Sequence, residues 1–140
     1  MKAINHITLL CKNIENSADL FCDLFGAKVV YSSEIKSFSL SKEKFILIGT
    51  LWIALMEGSP IERSYNHIAF SIDEKDLALY ETKIKTWKLD ILPGRPRDPR
   101  EGKSIYFYDF DNHLFELHTS DLQTRLAFYQ ESEGRIKNTF

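Results

Sequence analysis

The chain is 140 residues long, 44% hydrophobic, 13% aromatic and 27% charged, with 18 basic and 20 acidic residues and a formal net charge of −2. That length fits one domain, the composition is far from that of a disordered tail, and the charge balance offers no electrostatic case for a nucleic-acid partner. No apolar run is long enough to span a membrane, and Met1 to His6 lacks the basic-then-apolar pattern of a signal peptide, so a soluble cytosolic protein is expected.

In chain order, Ile4 to Cys11 is apolar and β-branched enough for a buried strand. Ile14, Ala18, Phe21, Leu24 and Phe25 then recur at helical spacing, with Asn13 as the cap and Gly26 just past the end. Strand-like runs follow at Lys28–Ser33, Ser37–Leu40, Phe45–Ile48 and Leu51–Met56. Tyr65–Ile72 opens a second series. A helix is expected over Asp76–Lys88, with Leu77, Tyr80, Ile84 and Trp87 on its apolar side. Strands are expected at Ser104–Tyr108 and His113–His118, joined by the turn Phe110-Asp111-Asn112. Between helix and strands lies a Pro/Gly-punctuated basic loop, Pro93 to Lys103. From Asp121 a short helix with Leu122, Leu126 and Phe128 gives way to a polar tail. Cys11 and Cys22 lack metal-type spacing and fall in these core elements, so both are expected to be reduced and packed.

The two series form a repeat. Asn5-His6-Ile7 returns as Asn66-His67-Ile68, and each copy proceeds strand, helix, strands. The expected domain is one α+β unit over 1–140, with module one at about 3–58, module two at about 63–120 and a helix with tail at 121–140. Each module alone is too small for a secure core, so sheets must pack together within a chain or between chains.

His6 and His67 stand at the same point of the two modules, and neutral imidazole is a common ligand for divalent metals. In Leu114-Phe115-Glu116-Leu117-His118, alternation puts Glu116 on the face opposite Phe115 and Leu117. A carboxylate inside an apolar strand is costly unless paired or metal-bound. Ala54 occupies the matching place in module one, so one carboxylate is expected; His118 shares Glu116's face as a rival ligand, with a surface role favoured, and His113 is expected to be solvated. Two histidines and a carboxylate make a facial triad with open positions. Thr8 lies on the same strand face as His6, while Glu43, read alone, is a charge in a solvated hairpin. Arg95, Arg97, Arg100 and Lys103 give the loop a net positive charge suited to a phosphate, phosphonate or carboxylate if it lies over the site; Arg125 is similarly placed to serve either solubility or an anion.

Together these residues resemble the vicinal oxygen chelate superfamily, the relatives of glyoxalases and extradiol dioxygenases, and within it the fosfomycin-resistance proteins of the FosX type. The resemblance is carried by Asn5 to Thr8, Ser39 to Phe45, Leu51-Trp52, Arg63 to Phe70, Arg95-Pro96-Arg97 and above all Ser104 to His118. It implies a manganese-dependent epoxide hydrolase that adds water to fosfomycin and gives a diol. His6, His67 and Glu116 would hold Mn2+, and Glu43 would be the base. Thr8, Trp52, Tyr65, Ser104, Tyr106 and Arg125 would line the pocket or hold the phosphonate, with Arg97 of the basic loop a further candidate to bind substrate. It also implies a homodimer with exchanged modules, His6 coming from one chain and His67 with Glu116 from the other. One position departs: the family commonly has Lys or Arg before the proline that opens the basic loop, and this chain has Leu92, so Arg95 or Arg97 is expected to compensate. The alternatives are a thiol transferase acting on fosfomycin, a hydrolase of another small phosphonate, and a metal-free sequestering protein.

Overall fold

The computed structural model describes residues 3–33 and 39–133. Its first half runs β1 (His6–Cys11), α1 (Ile14–Phe25), β2 (Lys28–Ser32), β3 (Glu43–Ile48) and β4 (Leu51–Glu57). The second runs β5 (His67–Ser71), α2 (Leu77–Thr86), β6 (Asp90–Ile91), β7 (Ser104–Tyr108) and β8 (Leu114–His118), followed by α3 (Leu122–Glu133). Each half builds a four-stranded sheet in the same order, β1-β4-β3-β2 and β5-β8-β7-β6. In each, the first and last strands of the module pair in parallel and the remaining pairs are antiparallel. The Asn-His-Ile repeat is a repeat of topology.

Local chemistry sets the helix ends. Asn13 Oδ1 accepts from the N–H groups of Glu15 and Asn16, both at 3.1 Å, satisfying donors that the first turn leaves open. Gly26 closes α1 in the left-handed conformation at φ 64°, where a side chain would be strained. The second helix is shorter than its apolar pattern suggests: Glu74–Asp76 form a 3-10 turn before it, and Lys88 at φ 55° ends the helical path behind it. The strand expected at Ser37–Leu40 falls partly outside the described residues, and Ser39 and Leu40 form a bend. Pairing with β7 reveals β6, too short to carry a periodic signal.

The core lies on the helix side of both sheets. Leu9, Ile46, Ile53 and Leu55 from the first meet Ile105, Phe107, Phe115 and Leu117 from the second through α1. Phe21 of α1 stands edge-on to Phe115 with ring centroids 5.5 Å apart, and Phe25 lies 4.6 Å from Phe70. Three polar contacts reinforce this union. The Trp87 indole N–H donates to Asp23 Oδ2 at 2.8 Å, Lys83 reaches the same carboxylate, and buried Asp111 accepts the Lys12 N–H at 2.8 Å.

Packing both helix sides together leaves the opposite face of each sheet uncovered by helix. On the first sheet the registers align His6, Trp52 and Leu47 in one row, Thr8, Ala54 and Phe45 in the next, and Leu10, Met56 and Glu43 in a third. On the second sheet this face carries His67 and Ala69 beside Glu116, with Tyr106 and Ser104 on β7. No helix among the described residues is long and apolar enough to cross a membrane.

Candidate metal and substrate site

Strand pairing brings His67 and Glu116 together, because Ala69, two residues along the same face from His67, is the register partner of Glu116. His67 Nε2 and Glu116 Oε2 are 3.2 Å apart. The other imidazole nitrogen, Nδ1, lies 2.8 Å from the Tyr65 carbonyl oxygen. A carbonyl only accepts, so Nδ1 carries a proton, and in the neutral ring Nε2 presents a lone pair to the carboxylate. Two acceptors at that separation repel unless a proton or a cation lies between them, so the donor set suits a divalent ion.

Glu116 is 5% exposed. Burial alone would raise its pKa, but the Ser104 and Tyr106 hydroxyls hold the carboxyl below its usual range, with Arg97 adding to the effect. Ser104 Oγ donates to Glu116 Oε1 at 2.6 Å, which leaves Oε2 for a metal. The Ser104 oxygen then accepts from His118 Nδ1 at 2.8 Å, and His118 Nε2 accepts from Arg125 Nη2 at 3.3 Å. Burial, with Arg125 and Arg97 nearby, pushes the His118 pKa down, consistent with a neutral ring. His118 therefore has neither the surface role nor the ligand role considered from sequence; it orients Ser104.

Arg97 joins the same cluster: Nη2 donates to the Tyr106 hydroxyl at 2.8 Å and sits 3.5 Å from Glu116 Oε1. Burial and the neighbouring Glu116 raise the Tyr106 pKa strongly, so the phenol stays protonated. Tyr65 stacks on Tyr106 with centroids 6.2 Å apart. Of the two arginines considered as compensation for Leu92, Arg97 lies in the cluster. Arg95 is half exposed, with its guanidinium 3.8 Å from Glu101.

The remaining expected site residues gather on the first sheet. His6 Nδ1 lies 2.8 Å from Asn5 Oδ1, so this imidazole also directs Nε2 outward as an acceptor. Its ring rests 4.4 Å from Trp52, and Trp52 in turn meets Phe45 at 5.0 Å. The Trp52 indole nitrogen is buried without a partner. Glu43 is 6% exposed, which replaces the solvated-hairpin reading with a carboxylate buried on the face that carries His6 and Thr8. His6 does not join His67 and Glu116 within this chain: among the described residues no three His, Cys, Asp or Glu side chains converge as a metal site.

Sequence reasoning missed three supports. Asn5 and Ser33 act through contacts that no periodicity reveals, although Asn preceding His in both copies was a partial signal for Asn5. His113, expected in solvent, is 7% exposed and bonds the buried Asp109 through Nδ1 at 2.8 Å. The turn before it folds inward because the Asp109 carboxylate also accepts the N–H groups of Asp111 and His113.

Residues 3–117 match the model of the Glyoxalase/Bleomycin resistance protein/Dioxygenase superfamily. The chain belongs to that superfamily. Within it, the chain is 48% identical to the fosfomycin resistance protein FosX of Listeria monocytogenes, covering 94% of this chain and 99% of that one. It is 39% identical to the metallothiol transferase FosB of Staphylococcus haemolyticus, covering 97% and 96%. Among solved superfamily structures, it matches a mutant of Listeria monocytogenes FosX complexed with Mn(II) and 1S,2S-dihydroxypropylphosphonic acid, with a TM-score of 0.84 and 46% identity over 92% of this chain and 98% of that one.

Proposed function

We propose that this chain is a cytosolic Mn2+-dependent epoxide hydrolase that adds water to the oxirane of fosfomycin and so confers resistance to that antibiotic. The observation that carries the reading is the pairing of His67 Nε2 with Glu116 Oε2 at 3.2 Å, both left as acceptors by their other hydrogen bonds. The relatives support it, since a mutant of FosX from Listeria monocytogenes has been crystallised with Mn(II) and a dihydroxypropylphosphonic acid, the kind of diol that this reaction would give.

His67 and Glu116 would hold the metal together with His6 of a second copy, in a homodimer with exchanged modules. Two features support that arrangement: His6 lies apart from the pair in one chain, and the helix-free face around it is lined by Leu10, Phe45, Leu47, Trp52 and Met56. A bound divalent ion supplies Lewis acidity toward the departing oxirane oxygen. The chain's own residues do the rest. Glu43 takes a proton from water, whose oxygen forms the new bond to carbon as the oxirane C–O bond breaks; the freed oxygen takes up a proton from solvent to become the second hydroxyl, and Glu43 releases the proton it took, so that one water is added in all. Arg97 donates to the phosphonate, the Ser104 and Tyr106 hydroxyls turn from Glu116 to donate to it when it binds, Arg125 adds positive charge behind His118, and Thr8, Trp52 and Tyr65 line the remaining walls.

The test is incubation of Mn2+-loaded protein with fosfomycin in the absence of any thiol, followed by phosphorus NMR. Diol formation supports the hydrolase. Turnover only after adding a thiol would assign the chain to the transferase chemistry named for its FosB relatives.

A further inference from the structure

A cavity of about 490 Å3 opens beside the Glu116 cluster, at the outer edge of the second sheet. It exists because β6 is only two residues long and pairs β7 at Tyr108 and Phe107 alone. After the Leu92 N–H bonds the Tyr106 carbonyl at 2.8 Å, the chain leaves the sheet and returns at Ser104, so the basic loop bounds a space that no strand fills. The walls differ in chemistry. Leu77 of α2, Ile91, Leu92 and Ile105 are apolar, whereas Arg97, Ser104 and Tyr106 belong to the cluster around Glu116. Arg97 links the two regions. Its side chain is 9% exposed, and Nη1 is buried without an acceptor while Nη2 holds Tyr106. A buried guanidinium N–H left unpaired is costly, and an anion at this wall would satisfy it. The volume is in the range of pockets that take drug-sized ligands, well above the need of a three-carbon phosphonate.

We infer that this cavity is a second compartment of the substrate site, which takes the apolar arm of an organic phosphonate whose anionic head is held by Arg97, Ser104 and Tyr106. The inference rests on the reading of those three residues as the phosphonate holders, and extends it to a ligand class larger than fosfomycin: phosphonates whose single carbon substituent is an alkyl or aryl group that turns into this cavity. The apolar arm replaces water on the half-buried Leu77, Ile91 and Leu92, and the head group meets the unpaired Nη1.

The probes are phenylphosphonate and methylphosphonate, which share a head and differ in the arm, titrated calorimetrically into the Mn2+-loaded full chain. Burial of the ring predicts binding about tenfold tighter or better for phenylphosphonate. Leu92→Asn and, on a separate element, Leu77→Ala should each cut that advantage at least about threefold, with circular dichroism confirming the fold. Equal affinity of the two probes for the native protein, or an advantage untouched by both substitutions, overturns the second compartment while leaving the head-group reading intact. Failure of both probes to bind, in a protein that also fails to bind fosfomycin, overturns the head-group reading and the inference with it.

Discussion

Ser33 and Glu43 hold each other by two hydrogen bonds: the Ser33 N–H donates to the Glu43 carbonyl at 3.0 Å, and Ser33 Oγ accepts the Glu43 N–H at 2.8 Å. Ser33 is 6% exposed, so this clamp is shielded from water. It fixes the backbone from which the proposed base projects, at the first residue of β3. Ser33→Ala should lower kcat for fosfomycin hydrolysis about tenfold, the loss expected when a buried N–H is left unsatisfied. KM and Mn2+ affinity should hold, and Ser33→Thr should recover most of the rate. A parallel loss of metal binding would make Ser33 a general structural residue.

Glu43→Gln removes the base and no proposed ligand. Turnover should fall by about 10²–10⁴-fold while Mn2+ affinity, measured by calorimetry, stays at the native value. Native turnover in this variant would take Glu43 out of the mechanism.

Ser104 orients the carboxylate through its 2.6 Å bond to Glu116 Oε1. Removing such an outer-shell partner typically costs about 10–100-fold in metal affinity, so Ser104→Ala should weaken Mn2+ binding by that order in the absence of substrate. Ser104→Thr retains the hydroxyl and should bind metal nearly as the native protein does. If alanine has no effect on metal binding, Ser104 serves substrate alone.

The Trp87 and Lys83 side chains lower the Asp23 pKa through hydrogen bonds, Trp87 contributing most. A carboxylate depressed in the folded state stabilises the fold above its unfolded pKa, and that contribution is lost as pH falls through the folded value. Trp87→Phe should therefore cost up to about 1 kcal/mol near neutral pH, a figure kept small because the carboxylate is partly solvated. The gap between native and variant should narrow below about pH 4. A gap independent of pH in thermal melts would mean that ring packing, and not the hydrogen bond, accounts for the loss.

Burial pushes the Cys11 thiol up to about 12, and its side chain is fully shielded, whereas Cys22 is half-buried. Since the thiolate is the reactive form, a thiol reagent at pH 8 should modify Cys22 first and Cys11 only after unfolding. Equal rates for the two in the folded protein would contradict this packing.

The longer strands, the capped first helix and the repeat were legible in the sequence because their signals are local: period-2 alternation, an Asn before the apolar helix pattern, a Gly after it. Glu116 was legible for the same reason, its parity in the strand separating it from Phe115 and Leu117. Tertiary structure alone decided what those side chains meet. It turned Glu43 from a hairpin charge into a buried carboxylate, drew His113 onto Asp109 and engaged both nitrogens of His118. It also set His67 against Glu116, placed Arg97 and not Arg95 in that cluster, and left an open cavity where β6 stops short. Alternation tells which way a side chain faces relative to its own strand, but burial and partnership depend on surfaces contributed by residues far along the chain, which only packing brings into contact.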